Sequence, residues 1–217
     1  MASHCSIAMS QKPRKTAANH TPTHSKTMGV SVANAAENTT MTDTNDVKRI
    51  LGKWYDSADE MDSYVAKRAY EVISLVDEVW YDRIPVNVVW TDNDPYDDYQ
   101  DMRQTVKREN ELRVFAGGSE PEYKSHEDNV KGRAVHDWFG HLEANCSFSM
   151  AGEWTKYNHV KHRYPSWVRP LLFTEIVGQR AAASYYKDGF FDDAFRQKAT
   201  FAPTHIMDFA RTELSDK

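Results

Sequence analysis

From about residue 127 to 214 the chain is a succession of apolar helical runs, and several of its acids lie inside those runs rather than between them. Glu175 is set in Leu171-Leu172-Phe173-Thr174-Glu175-Ile176-Val177-Gly178-Gln179, and Glu153 in Ser149-Met150-Ala151-Gly152-Glu153-Trp154. A carboxylate among Leu, Phe, Ile and Val needs a cation, a histidine or a metal beside it. The fold must therefore bring partners to these positions. The nearest supply of such partners is Arg133-Ala134-Val135-His136-Asp137-Trp138-Phe139-Gly140-His141.

Taken in order, the chain divides into a tail and a body. Residues 1–42 are rich in Ser, Thr, Ala, Asn and Lys, without periodic apolar positions, and read as a disordered tail. Residues 43–217 read as a single mainly helical domain. Asn45 or Asp46 caps a short helix carrying Val47, Ile50, Leu51 and Trp54, and Asp56 or Ser57 opens a long one to about Asp82. In the long helix Met61, Val65, Ala69, Val72, Ile73, Val76, Val79 and Trp80 form an apolar stripe that reads as core packing. Pro85 stops it. Val86–Trp90 and Leu112–Ala116 are strand candidates on either side of a helix near 97–109, and together they predict a small two-stranded β ribbon. Gly117-Gly118 permits a reversal after the second strand. Further helices are expected near 127–144, 148–163, 166–187 and 203–214, with breaks at Cys146-Ser147, Tyr164-Pro165 and Asp188-Gly189.

Composition narrows the class. A chain of 217 residues with 40% hydrophobic and 12% aromatic content can build a sizeable core. The net charge is −5; the tail holds about +3 and the body about −8, which argues against a dedicated nucleic-acid binder. Cys5 and Cys146 cannot make a disulfide scaffold, so Cys146 reads as a buried free thiol and the setting as intracellular. No apolar run reaches the ~18 residues of a membrane span.

His136, His141 and Glu175 are the candidate metal ligands, since two histidines and a carboxylate with open positions is the set used by non-haem Fe(II) enzymes. Zn(II) with an activated water is the competing identity. Asp137, Glu153 and Gln179 are candidate catalytic residues, as fourth ligand, general base or orienting group, and Gln197 is a further orienting group. The spacing carries a tension. On an α-helix Asp137 and His141 share a face, whereas His136 and His141 lie about 140° apart. Both imidazoles can reach one ion only if the helix ends, bulges or tightens there, which Gly140 makes cheaper. His159 and His162 share a helix with Lys156, Lys161 and Arg163, whose charge makes its second half read as solvated. The Asp92–Asp98 acids lack the glycine and terminal glutamate of an EF-hand and read as a turn.

The order HDWFGH, FSMAGEW, LLFTEIVGQRAA and FRQKATFAP, from about Leu112 to Pro203, resembles a family of proteins encoded mainly by tailed phages and prophages. The resemblance picks out His136, Asp137, Gly140, His141, Glu153, Glu175, Gln179, Gln197 and Lys198. It implies a viral or mobile-element origin, hence a host-cytoplasmic location, and a polar site, but no particular reaction. HDWFGH and FTEIVG also resemble, more weakly, the iron-binding segments of pterin-dependent aromatic amino-acid hydroxylases, which hold iron with histidines five apart and a later glutamate. Asp137 stands where that family has Glu, and no pterin segment is recognisable. A third likeness, to HD-type phosphohydrolases, shares His136-Asp137 and would make Asp208 the distal acid, with the following Gly-His offset by one. These readings predict a divalent-metal enzyme, by oxidation or hydrolysis, acting on a small molecule or nucleotide. The alternative is a non-catalytic phage structural or host-interaction protein with a buried His–carboxylate network.

Overall fold

The computed structural model describes residues 44–117, 123–186 and 195–215. The expected tail at 1–42, Cys5 and the expected break at Asp188-Gly189 lie outside them. Residues 40–217 form one compact unit, mainly helical with a two-stranded sheet.

Helix α1 (Thr44–Ser57) buries Val47, Leu51 and Tyr55 at three- and four-residue spacing. It does not run on into the next helix. Asp62 caps helix α2 (Ser63–Tyr81), its side chain accepting from the amides of Tyr64 and Val65. The buried face of α2 is Ala66, Ala69, Tyr70, Ile73 and Asp77, while Val65, Leu75 and Val79 are exposed. The stripe expected from apolar residues alone is thus rotated. Tyr70 and Asp77 face inward because each has a polar partner there.

Strands β1 (Asn87–Thr91) and β2 (Glu111–Phe115) pair in parallel, Asn87 opposite Glu111 and Thr91 opposite Phe115. Parallel pairing follows from the helix between them, α3 (Tyr99–Glu109), which crosses over from one strand to the next. Asp98 caps α3 and Asn110, with φ 56°, ends it in the left-handed conformation. Leu112 and Val114 point from β2 into a small core with Met102, Tyr99, Val130 and Ala134.

Helix α4 (His126–Val135), capped by Ser125, packs on α2 and β2. It passes directly into a π-helical turn, His136–Leu142. Helix α5 (Met150–Val160), capped by Ser149, ends in a 3-10 turn at Lys161–Arg163. Helix α6 (Arg169–Phe173) leads through a second π-helical turn, Thr174–Gly178, into α7 (Gln179–Ala183). Helix α8 (Thr204–Leu214) closes the described chain. The largest core joins α1, α2, α5, α6 and α8 around Leu51, Tyr70, Ile73, Met150, Trp154, Leu171, Phe173, Ile206 and Leu214. Gln197 and Lys198 precede α8. Lys198 Nζ donates to the carbonyls of Tyr55, Asp56 and Ala58 and so caps the C-terminal end of α1. Its place in the resemblance to phage proteins coincides with a structural task.

Both π-helical turns fall on the two segments that carry the sequence's candidate ligands. A π turn inserts a residue and closes i to i+5 hydrogen bonds, here Glu143 N–H to Trp138 O at 2.9 Å. The five-residue spacing of His136 and His141 thereby becomes one turn.

Candidate metal centre

The π turn removes the geometric objection to the two histidines. Their rings lie 4.9 Å apart, centroid to centroid. His141 is wholly buried, its ring edge-on to Phe148 at 4.7 Å. Its Nδ1 bonds the carbonyl oxygen of Cys146 at 3.1 Å. A carbonyl only accepts, so Nδ1 donates there and Nε2 is the nitrogen turned toward Glu153. His136 Nδ1 bonds the Asp137 carboxylate at 2.8 Å, which likewise turns the His136 Nε2 lone pair inward. Histidines that bind metals are fixed in this way, the outer nitrogen tied to a carboxylate or backbone carbonyl.

The carboxylate that meets them is Glu153. Its Oε1 is 3.5 Å from His141 Nε2 and its Oε2 is 3.8 Å from His136 Nε2. One donor atom from each of His136, His141 and Glu153 lies within 4.8 Å of the other two, and among the described residues no other group of histidines, cysteines and acids meets that test. Ligand atoms around a single first-row ion stand roughly 3–3.5 Å apart, given bonds near 2.0–2.2 Å, so the trio is close to a ligand set. His141 Nε2 is buried without a hydrogen-bond partner. Burial opposes charging of the His141 ring, but the hydrogen bond at Cys146 and the Glu153 and Asp137 carboxylates outweigh it and push its pKa up to about 10.

Glu153 is placed by its neighbour Gly152. A Cβ on residue 152 would stand 1.7 Å from the Ser147 carbonyl oxygen, so only glycine lets the first turn of α5 come that close to the preceding loop. Lys156, one turn on, is also wholly buried. Its Nζ lies 2.5 Å from Glu153 Oε2 and touches His136 Nε2. The solvated character expected for this lysine is therefore wrong, and for a reason the sequence carries. Glu153, Lys156, Tyr157 and Val160 follow helical spacing on one face, which turns the lysine inward with the core. His159 and His162 are exposed as expected, and His159 pairs with Glu143 at 3.0 Å.

Glu175 does not join the trio. Its Oε1 accepts from Tyr70 Oη at 2.7 Å and from Gln179 Nε2 at 2.8 Å. Desolvation by the surrounding core raises its pKa, against the lowering by Tyr70, Lys124 and Gln179. The need for partners inferred from its apolar setting is met, but by a tyrosine and an amide. The third-ligand position assigned to it falls to Glu153, which had been assigned catalysis. Asp137 orients His136 and Gln179 orients Glu175. Asp208 pairs with Arg211 at 2.8 Å and is not among the acids that meet the two histidines. Cys146 is a buried free thiol as expected, donating to the Gly140 carbonyl at 3.3 Å.

His136 and Glu153 stand at the wall of a cavity of about 490 Å³ that Asp137, Lys156, Glu175, Gln179 and Gln197 also help to line, with His141 buried behind them. Tyr70, Asp77 and Lys124 line it too, and sequence reasoning passed over all three. Asp77 accepts from Tyr164 Oη at 2.6 Å and pairs with Lys124 at 3.2 Å, a buried and fully partnered ion pair. An acid within the α2 stripe was the available signal.

Comparison with protein-family models, with curated proteins and with solved structures returned no match. No described helix is long and apolar enough to cross a membrane.

Proposed function

We propose that the protein is a divalent-metal enzyme whose ion is held by His136 and His141 through their Nε2 atoms and by Glu153, with Fe(II) or Zn(II) as the metal. The observation that carries this is the outward tethering of both Nδ1 atoms, to Asp137 and to the Cys146 carbonyl, while both Nε2 atoms face one carboxylate. Structural zinc sites are closed by four protein ligands, whereas a three-ligand set beside a cavity leaves positions for water or substrate. When bound, the ion supplies Lewis-acid activation of a water or of an oxygen-bearing substrate, or, for iron, redox chemistry.

The chain's own residues divide the remaining work. Asp137 fixes the tautomer and ring plane of His136. Glu175, with one oxygen pinned by Tyr70 and Gln179 and its pKa raised by burial, stands at the cavity wall and is the candidate general acid or base. The cavity volume suits a small molecule or a nucleotide. With the likeness to phage and prophage proteins, this makes it a phage-type metal-dependent oxygenase or hydrolase.

Metal analysis of purified protein tests the reading. Wild type and Glu175→Ala should each carry about one equivalent of metal, while His136→Ala, His141→Ala and Glu153→Ala carry little. Equal, negligible metal in all five proteins would remove it. A second reading, a non-catalytic His–carboxylate network in a structural or host-interaction protein, is favoured by the Lys156–Glu153 contact, which compensates the buried carboxylate without a metal. That protein's melting temperature would be indifferent to zinc and to chelator.

A further inference from the structure

Lys156 is buried to 0% exposure at the one place where the proposed metal would sit. Its Nζ engages two members of the trio, Glu153 Oε2 at 2.5 Å and His136 Nε2. An ammonium has three donors and no lone pair, so it uses the same acceptor atoms that a metal ion needs. The lysine stem is housed on purpose-shaped backbone: a Cβ on Gly140 would fall 2.4 Å from Lys156 Cγ and 2.5 Å from its Cδ. Gly140 belongs to the same π turn that carries both histidines. The segment that presents the imidazoles thus also makes room for a cation that covers one of them.

From this we infer that Lys156 is a resident cation of the site, and that a divalent metal binds by exchange, displacing the ammonium from Glu153 and His136 into the adjoining cavity. The inference rests on the divalent-metal reading and adds its regulation. An ion bonded to His136 Nε2 and Glu153 at roughly 2.0–2.2 Å leaves no space for Nζ, and two cations so close repel each other. Lysine is suited to leave, being a compact charge on a flexible stem. Lys156 already lines the cavity, together with His136 and Glu153. With the ammonium in place Glu153 is never an uncompensated buried charge, and with it displaced the cavity gains a positive group beside the metal. Metal loading and the charge of the substrate cavity are then one event.

The test uses the full chain, with Zn²⁺ as the probe. Zinc affinity is read by competition with a chromophoric chelator for wild type, Lys156→Met and Lys156→Gln. Both variants should bind about tenfold tighter or more, because the competing cation is gone. In parallel, wild type is treated with an amine-acylating reagent with and without Zn²⁺, and Lys156 is followed by mass spectrometry. Labelling should be low without zinc and rise several-fold with it. Zinc bound by wild type with unchanged or weakened affinity in the variants, or with Lys156 labelling unchanged or reduced by zinc, overturns the exchange and leaves the metal site standing. If none of the three proteins binds zinc, the metal reading itself falls and the exchange with it. Should the variants fail to fold, the wild-type labelling decides alone.

Discussion

Lys156 lies across Gly140: a side chain at residue 140 would begin 2.4 Å from the lysine's Cγ, in space the stem already fills. The two residues come from different helical segments, one from the π turn after α4 and the other from the middle of α5. Their contact sets how closely those segments approach, and therefore how near Glu153 comes to the two histidines.

Gly140→Ala should accordingly destabilise the protein by about 1–3 kcal/mol through overpacking. Shortening the neighbour relieves the clash, so Gly140→Ala combined with Lys156→Ala should fall short of additivity by roughly 0.5–3 kcal/mol. Chemical denaturation of the two single variants and the double variant measures this. Additive effects would mean that the contact does not exist in solution.

The buried ion pair between Asp77 of α2 and Lys124 gives a second, independent expectation. Asp77 takes a hydrogen bond from Tyr164 and an ion pair from Lys124. Tyr164→Phe removes one donor and should cost about 1–3 kcal/mol. Asp77→Ala leaves Lys124 without its charge partner and should cost more, about 3–5 kcal/mol. Thermal melts would rank the two. A larger loss for the tyrosine variant would show that the ion pair is not formed as drawn.

Glu175 predicts a pH signature. Burial raises its folded pKa above the unfolded value, so its ionisation opposes folding. The penalty is absent below the unfolded pKa of about 4.3 and grows as pH rises through the raised folded value. Glu175→Gln keeps an oxygen for Tyr70 and Gln179 and carries no charge. Its melting temperature should match wild type near pH 4 and exceed it at pH 7 to 8. The opposite order at neutral pH would mean that the carboxylate is stabilised as an anion.

Metal should act by mass action on the folded state. At a hundredfold excess over Kd, Zn²⁺ should stabilise wild type by about 2.7 kcal/mol, if the unfolded chain does not bind it. At this size that corresponds to a rise of roughly 2–4 °C per kcal/mol. His141→Ala should show no rise, whereas Glu175→Gln should keep it. Scanning calorimetry with zinc, and again after a chelator, makes the comparison.

Much of the architecture was legible because it is local. The stop at Pro85 and the helical periods of α1 and α8 depend on residues a few positions apart, whereas the long helix starts from Asp62 and not from Asp56 or Ser57. The two strands were legible for the same reason, within one residue at each end. That acids in apolar runs need partners was also decidable from sequence, since desolvation of a carboxylate does not depend on topology. Which partner each acid meets was not. Glu175 found Tyr70 from α2, 105 residues away, and Glu153 found the histidines, because helix packing brought α2 to one π turn and α5 to the other. The charge of Lys156 suggests solvent while its helical spacing turns it inward, and the absent side chain of Gly140 on a neighbouring segment gives its stem a buried bed. Local chemistry named the residues that need company; the packing of helices distant in sequence chose the company, because a hydrogen bond or a ligand bond forms at about 3 Å or less and sequence spacing fixes such distances only within a turn or two.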